Sequence, residues 1–259
     1  MEKTSSGWSA PPGPGTKASD RIILALDVDR IEQALLLALE IGDAVGLFKI
    51  GLQMLANSGP QVFAEILNKH SRAKFFYDAK FHDIPLTVEA ACANSMALPG
   101  IQYFSVHASA GKEAMRRAVE VSRGRARPLA ITVLTSISDA ECEEVYGADR
   151  KTAVRRFVDW AAECNMAGVV CSPLELAILR DHPMTAADGH RMLKVVPGIR
   201  PEWARTHDQK AVATPYEAIR DGADYLVIGR PITRPPSAIG SPLAAVHDIT
   251  GEIERALSE

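Results

Sequence analysis

From residue 20 onward the chain alternates between short apolar runs and longer segments whose apolar residues recur every three or four positions. The short runs are 22–26 (IILAL), 45–50 (VGLFKI), 74–77 (KFFY), 101–106 (IQYFSV), 128–134 (PLAITVL), 168–171 (GVVC), 193–196 (LKVV) and 225–228 (YLVI). Such near-continuous apolar runs suit parallel strands with helices over one face and a second buried face beneath. The segments 30–41, 59–70, 86–98, 110–122, 151–165, 173–180, 215–221 and 242–257 read as helices. In the first, Ile31, Leu35, Ala38 and Leu39 form the expected buried stripe; in 151–165 it is Val154, Phe157 and Val158. Eight alternating units predict an α/β protein closed into a single (β/α)8 TIM barrel. An open doubly wound sheet is the alternative. It would usually carry a glycine fingerprint after the first strand, where this chain has Asp27-Val28-Asp29-Arg30.

Length sharpens this reading. A barrel of this kind takes about 250 residues, and the chain has 259. Residues 1–19 are rich in Gly, Pro, Ser and Ala and lack the apolar centre of a signal peptide. They read as a flexible N-terminal tail, with 20–259 as one catalytic barrel domain. Hydrophobic residues at 47% and charged residues at 24% supply a large core and exclude a disordered or fibrous chain. No run approaches the roughly 18 apolar residues of a membrane span. A net charge of −3 argues against a nucleic-acid or anionic membrane surface, so any anionic ligand must be met locally. Cys92, Cys142, Cys164 and Cys171 contain no CxxC pair, which argues against zinc and for a reduced, cytoplasmic protein.

Charge interrupts the apolar pattern at strand ends. Asp27 ends the first strand, Lys49 lies near the end of the second, and Asp78 and Lys80 end the third, with Asp83 just beyond. Side chains alternate along a strand, so Asp78 and Lys80 are expected on one face, looking into the barrel mouth if Phe75 and Tyr77 face the helices. Ionisable groups gathered in a pocket are expensive unless they pair, and Lys–Asp alternation supplies the pairing. Three long connections, 135–150, 197–213 and 229–241, follow strands and therefore fall on the C-terminal face, where barrel active sites lie. Those after strands seven and eight carry Gly198 with Arg200 and Gly229 with Arg230. Glycine admits close backbone approach to phosphate, and arginine offers a two-pronged guanidinium.

These segments together resemble the orotidine 5′-monophosphate decarboxylase family over nearly all of 20–257. The matching stretches are Ala25-Leu26-Asp27, Phe48-Lys49-Ile50-Gly51, Asp78-Ala79-Lys80-Phe81-His82-Asp83-Ile84-Pro85-Leu86-Thr87, Val106-His107-Ala108, Val133-Leu134-Thr135-Ser136, Val196-Pro197-Gly198-Ile199-Arg200 and Ile228-Gly229-Arg230-Pro231-Ile232. Asp-x-Lys-x-x-Asp alone marks a wider group of barrel enzymes; the full stretch through Thr87 is far more specific. The resemblance implies decarboxylation of orotidine 5′-monophosphate to UMP, the last step of de novo pyrimidine nucleotide synthesis, with no cofactor and no metal. It implies a homodimer with active sites at the interface. It casts Lys80 as proton donor to pyrimidine C6, with Asp78 beside the departing carboxylate. Asp83 and Thr87 would reach into the neighbouring subunit's site. Asp27 and Lys49 would hold the ribose, with Lys49 also buttressing Asp78. Thr135 and Ser136 would meet the base, and Gly198, Arg200, Gln209, Gly229 and Arg230 the phosphate. The 197–213 connection would be the lid. His82 and His107 read as structural, and the Pro-rich 231–238 carries no assigned role.

The nearest rival is a metal-dependent sugar-phosphate decarboxylase or aldolase of the same barrel group. Those enzymes place an acidic residue where this chain has Lys49, and an ammonium has no lone pair for a metal. A non-catalytic phosphate-ligand binder is a different class. It would keep Gly229-Arg230 but has no need of the Asp78-Lys80-Asp83 cluster.

Overall fold

The computed structural model describes residues 17–122, 124–204 and 213–259. Strands β1 (Ile22–Ala25), β2 (Leu47–Gly51), β3 (Phe75–Phe81), β4 (Ile101–His107), β5 (Arg127–Ile131), β6 (Gly168–Val170), β7 (Leu193–Pro197) and β8 (Tyr225–Ile228) pair in parallel in chain order. β8 closes on β1, Ile23 lying opposite Val227. Each apolar run is a strand of a closed (β/α)8 barrel.

The helices are α1 (Ile31–Ile41), α2 (Leu52–Ser58), α3 (Gln61–Lys69), α4 (Pro85–Ser95), α5 (Lys112–Ser122), α6 (Asp139–Tyr146), α7 (Arg150–Glu163), α8 (Pro173–Ile178), α9 (Pro215–Arg220), α10 (Arg230–Thr233) and α11 (Pro242–Ser258). The periodic segments all became helices. α2, α6 and α10 lie in stretches expected to be connections. α6 has a local cause: Ser138 Oγ accepts from Glu141 N while Glu141 Oε2 accepts from Ser138 N, a reciprocal N-terminal cap. No helix among the described residues is long and apolar enough to cross a membrane.

Alternation along the strands divides two cores. Inward side chains, among them Ile23, Leu47, Phe76, Tyr103, Leu129, Val195 and Val227, fill the barrel. Outward ones, such as Leu24, Phe48, Phe75, Phe104 and Val196, pack under the helices. Val154, Phe157 and Val158 are buried as expected. The stripe of α1 differs: Ala34, Leu37, Ala38 and Ile41 are buried, Ile31 and Leu35 are partly covered, and Leu39 is 60% exposed. The run Ala34-Leu35-Leu36-Leu37-Ala38-Leu39 is apolar on every side, so its periodicity does not single out one face. Ala18 is already buried, in a 3-10 turn over Ala18–Arg21 that packs on the core. Residues 1–16 of the expected tail lie outside the described residues.

Candidate active site

At the C-terminal end the barrel interior changes from apolar to charged. A cavity of about 450 Å³ there is lined by Asp27, Lys49, Asp78, Lys80, Thr135, Gly198, Arg200, Gly229 and Arg230, with Ile131, Val133, Leu134 and Val170 as apolar wall. Most of the residues expected from the sequence therefore meet in one place. Asp83, Thr87 and Ser136 are exposed and are not among the lining residues. Gln209, and with it 205–212 of the expected lid, lies outside the described residues.

Four charges alternate along one wall. Lys49 Nζ donates to Asp27 Oδ1 at 3.0 Å and lies 3.5 Å from Asp78 Oδ2. Lys80 Nζ donates to the same Asp78 oxygen at 2.5 Å. Gly51 makes room for this row, because a Cβ there would fall 2.6 Å from Lys49 Nζ and 3.1 Å from Asp27 Oδ1. Burial alone would raise the Asp78 carboxyl. The ammoniums of Lys49 and Lys80, with hydrogen bonds from Lys80 and Ser105, overcome burial and hold it below the usual carboxylate range.

Asp78 and Lys80 meet, but not by simple alternation. Phe75 and Tyr77 do face the helices, and Phe76 points into the barrel. Beyond Tyr77 the pairing with β4 slips: Tyr77 pairs with Phe104, and the next pair is Phe81 with Val106. Lys80 takes φ +52°, a left-handed conformation uncommon outside glycine. The bulge turns its side chain back onto Asp78.

The connections after β7 and β8 bring two cations, Arg200 and Arg230, to the same cavity. Burial, followed by the like charge of Arg230, holds the Arg200 guanidinium below its ordinary value. An anion bound beside Arg200 would offset that like charge. Gly198 turns the chain at φ +80°, which only glycine adopts readily.

Sequence reasoning missed two buried polar groups. Ser105 sits fully buried in β4 and bonds both Asp78 and Lys80; its signal is a lone hydroxyl inside the run IQYFSV. Glu175, also fully buried, accepts from Thr132 Oγ1 at 3.0 Å, Ser172 N at 2.9 Å and Arg150 Nη1 at 3.1 Å. Burial pushes its carboxyl up against the pull of these donors. Arg150 also donates to Ile137 O and Asp139 Oδ1. This network ties the connection after β5 to the one after β6, two walls of the cavity. The signal was Ser172-x-x-Glu175, a helix-capping pattern.

His82 and His107 form a tilted ring pair with centroids 5.2 Å apart. Burial, His82 and Lys80 together push the His107 imidazole down to about 4. Among the described residues no group of three or more His, Cys, Asp or Glu side chains is arranged to hold a metal ion.

A closed (β/α)8 barrel whose mouth gathers two arginines and a Lys–Asp row in one cavity defines an enzyme class acting on a phosphorylated small molecule. The comparisons with known proteins narrow the class. Residues 20–241 match the sequence profile of the orotidine 5′-phosphate decarboxylase / HUMPS family, and the chain belongs to that family. It is 42% identical over 249 residues to the orotidine 5′-phosphate decarboxylase of Syntrophomonas wolfei, covering 92% of this chain and 99% of the relative. It is 39% identical to that of Heliobacterium modesticaldum over the same shares. The crystal structure of orotidine 5′-phosphate decarboxylase from Lactobacillus acidophilus superposes with a TM-score of 0.72 at 31% identity, over 90% of this chain and 98% of that one.

Proposed function

We propose that this chain decarboxylates orotidine 5′-monophosphate to UMP without a cofactor. The observation that carries this reading is the row Asp27–Lys49–Asp78–Lys80 lining one cavity together with Arg200 and Arg230. Loss of CO2 leaves a pair of electrons on C6 that the ring delocalises poorly. Lys80 is the group placed to stabilise that charge and to deliver the proton that ends the reaction. An ammonium about 4 Å from a full negative charge contributes roughly 4 kcal/mol at an effective dielectric near 20, about three powers of ten in rate. The rest comes from elsewhere in the substrate. Phosphate on Gly198, Arg200, Gln209, Gly229 and Arg230, ribose on Asp27 and Lys49, and base on Thr135 and Ser136 hold the reacting bond in place. Asp78 lies beside the departing carboxylate.

Asp83 and Thr87 fit a site completed by a second copy. They are exposed on the segment after β3, flanked by Ile84 and Leu86 at 65% and 66% exposure. The protein works as a homodimer in the cytoplasm, each chain a single barrel that begins with the core-packed turn at Ala18–Arg21. Against the metal-dependent sugar-phosphate reading stands Lys49, whose ammonium bridges the carboxylates of Asp27 and Asp78 and has no lone pair to offer a cation.

The test is to mix purified protein with orotidine 5′-monophosphate in excess EDTA and follow the ultraviolet change of the pyrimidine. Turnover undiminished by the chelator is expected. No turnover, or turnover that needs an added divalent ion, overturns the proposal.

A further inference from the structure

Ser105 stands where the rest of the barrel interior would place an apolar side chain. Inward positions of β4 alternate Tyr103, Ser105, His107, and Ser105 is fully buried at the level of Asp78. Its hydroxyl makes two bonds to two different residues of the charged row. It donates to Asp78 Oδ1 at 2.9 Å and accepts from the backbone N–H of Lys80 at 2.9 Å. A hydroxyl has a single proton. Giving it to the carboxylate leaves the lone pairs for the amide, so the two bonds fix the rotor's direction.

Both bonds fall at a break in the strand pairing. Three residues of β3, Asp78 to Lys80, stand opposite Ser105 alone, because the pairing jumps from Tyr77 with Phe104 to Phe81 with Val106. The Lys80 N–H has left the regular ladder at a left-handed φ of +52°, and the serine oxygen takes it up. At the other end, Asp78 Oδ1 is turned to Ser105 while Oδ2 is turned to Lys80 and Lys49. One hydroxyl thus sets both the plane of the carboxylate and the backbone from which the lysine projects. We propose that Ser105 is a positioning residue for decarboxylation, clamping Asp78 and Lys80 in register with each other. The inference rests on the proposed function. Ser105 is not among the cavity-lining residues, so it acts through its two partners.

The clamp predicts a defect in the chemical step and not in nucleotide binding. Misplacing a reacting group by about 1 Å lowers rate by about a hundredfold. Ser105→Ala, Ser105→Thr and Ser105→Val are compared with the unaltered protein for decarboxylation of orotidine 5′-monophosphate and for UMP affinity by calorimetry. Ser105→Ala is expected to lose about 10- to 100-fold in kcat, with KM and UMP affinity within about threefold. Thr and Val have nearly the same volume, so their difference isolates the hydroxyl even if the alanine variant does not fold. Ser105→Thr is expected to recover kcat to within a few-fold, and Ser105→Val to resemble the alanine variant. A Ser105→Ala kcat within twofold of the unaltered protein overturns the inference. So does equal impairment of the Thr and Val variants, or UMP affinity falling in step with kcat. An unaltered protein inert toward the substrate instead brings down the functional reading, and this inference with it.

Discussion

Lys49 Nζ lies 3.5 Å from Asp78 Oδ2, and both side chains are more than nine-tenths buried. Lys49 also links Asp27 to the Lys80 end of the row, since it contacts both carboxylates. Buried charges this close have surrendered hydration that only their partners replace. Removing one strands the other. Lys49→Ala is therefore expected to destabilise the fold by about 3 kcal/mol, the low end for breaking a buried pair, because Lys80 still touches Asp78. Urea unfolding read at constant m-value measures it. A loss below about 1 kcal/mol would place the pair among weakly coupled surface charges.

Arg230 makes the phosphate reading testable by itself. Its neighbour Arg200 is already under like-charge strain from it, which an anion relieves. Arg230→Ala should lower kcat/KM for the nucleotide by about 1.5–3 kcal/mol, the range for hydrogen bonds to a charged group, or roughly 10- to 150-fold. The variant should leave turnover of the corresponding nucleoside unchanged, because no phosphate is present to miss it. Equal losses on nucleotide and nucleoside would remove Arg230 from the phosphate site.

The barrel was legible because eight apolar runs at regular spacing admit few other architectures, and the charged strand ends were legible because charge inside an apolar run is costly. The local devices were not. Asp78 and Lys80 were expected together from period-two alternation, yet they meet through a bulge that puts Lys80 at φ +52°. No residue preference marks that bulge, since β-bulges at such angles usually advertise themselves with glycine. Ser105 and Glu175 escaped notice because a single serine in a strand and a glutamate in a capping pattern are both ordinary locally. Their importance comes from long-range partners, Asp78 for one and Arg150 for the other. Leu39 of α1 lies on the exposed face, not on the expected buried stripe, because a helix apolar all round gives periodicity nothing to select.

His107 makes stability depend on pH. Its imidazole is pushed down to about 4 in the folded protein by burial, by His82 and by Lys80, against an unfolded value near 6.5. Above pH 6.5 neither state holds the proton, and the residue is neutral to stability. Between pH 6.5 and about 4 the unfolded chain binds a proton that the folded one refuses, so stability falls as pH falls. The full shift corresponds to at most about 3 kcal/mol; partial exposure of the ring reduces this to about 1–2 kcal/mol. His107→Asn should flatten the urea midpoint between pH 7 and pH 5 relative to the unaltered protein. An unchanged slope would assign the pH dependence to other groups.

The exposed placement of Asp83 leads to a test of assembly through activity. Lys80→Ala removes the proton donor and should cost at least three powers of ten in kcat, the size of the ammonium's electrostatic contribution, while UMP still binds. Asp83→Ala should also be nearly inactive if Asp83 serves the neighbouring subunit's site. Each homodimer then has two damaged sites. When the two variants are unfolded together and refolded at equal concentration, random pairing makes half the dimers mixed. In a mixed dimer, one site combines the intact Lys80 of one chain with the intact Asp83 of the other, and the second site lacks both. Half the sites in half the dimers predicts about a quarter of the unaltered activity per chain. Recovery to that level requires that Lys80 and Asp83 act from different chains, because residues acting within one chain would give no recovery at any mixing ratio.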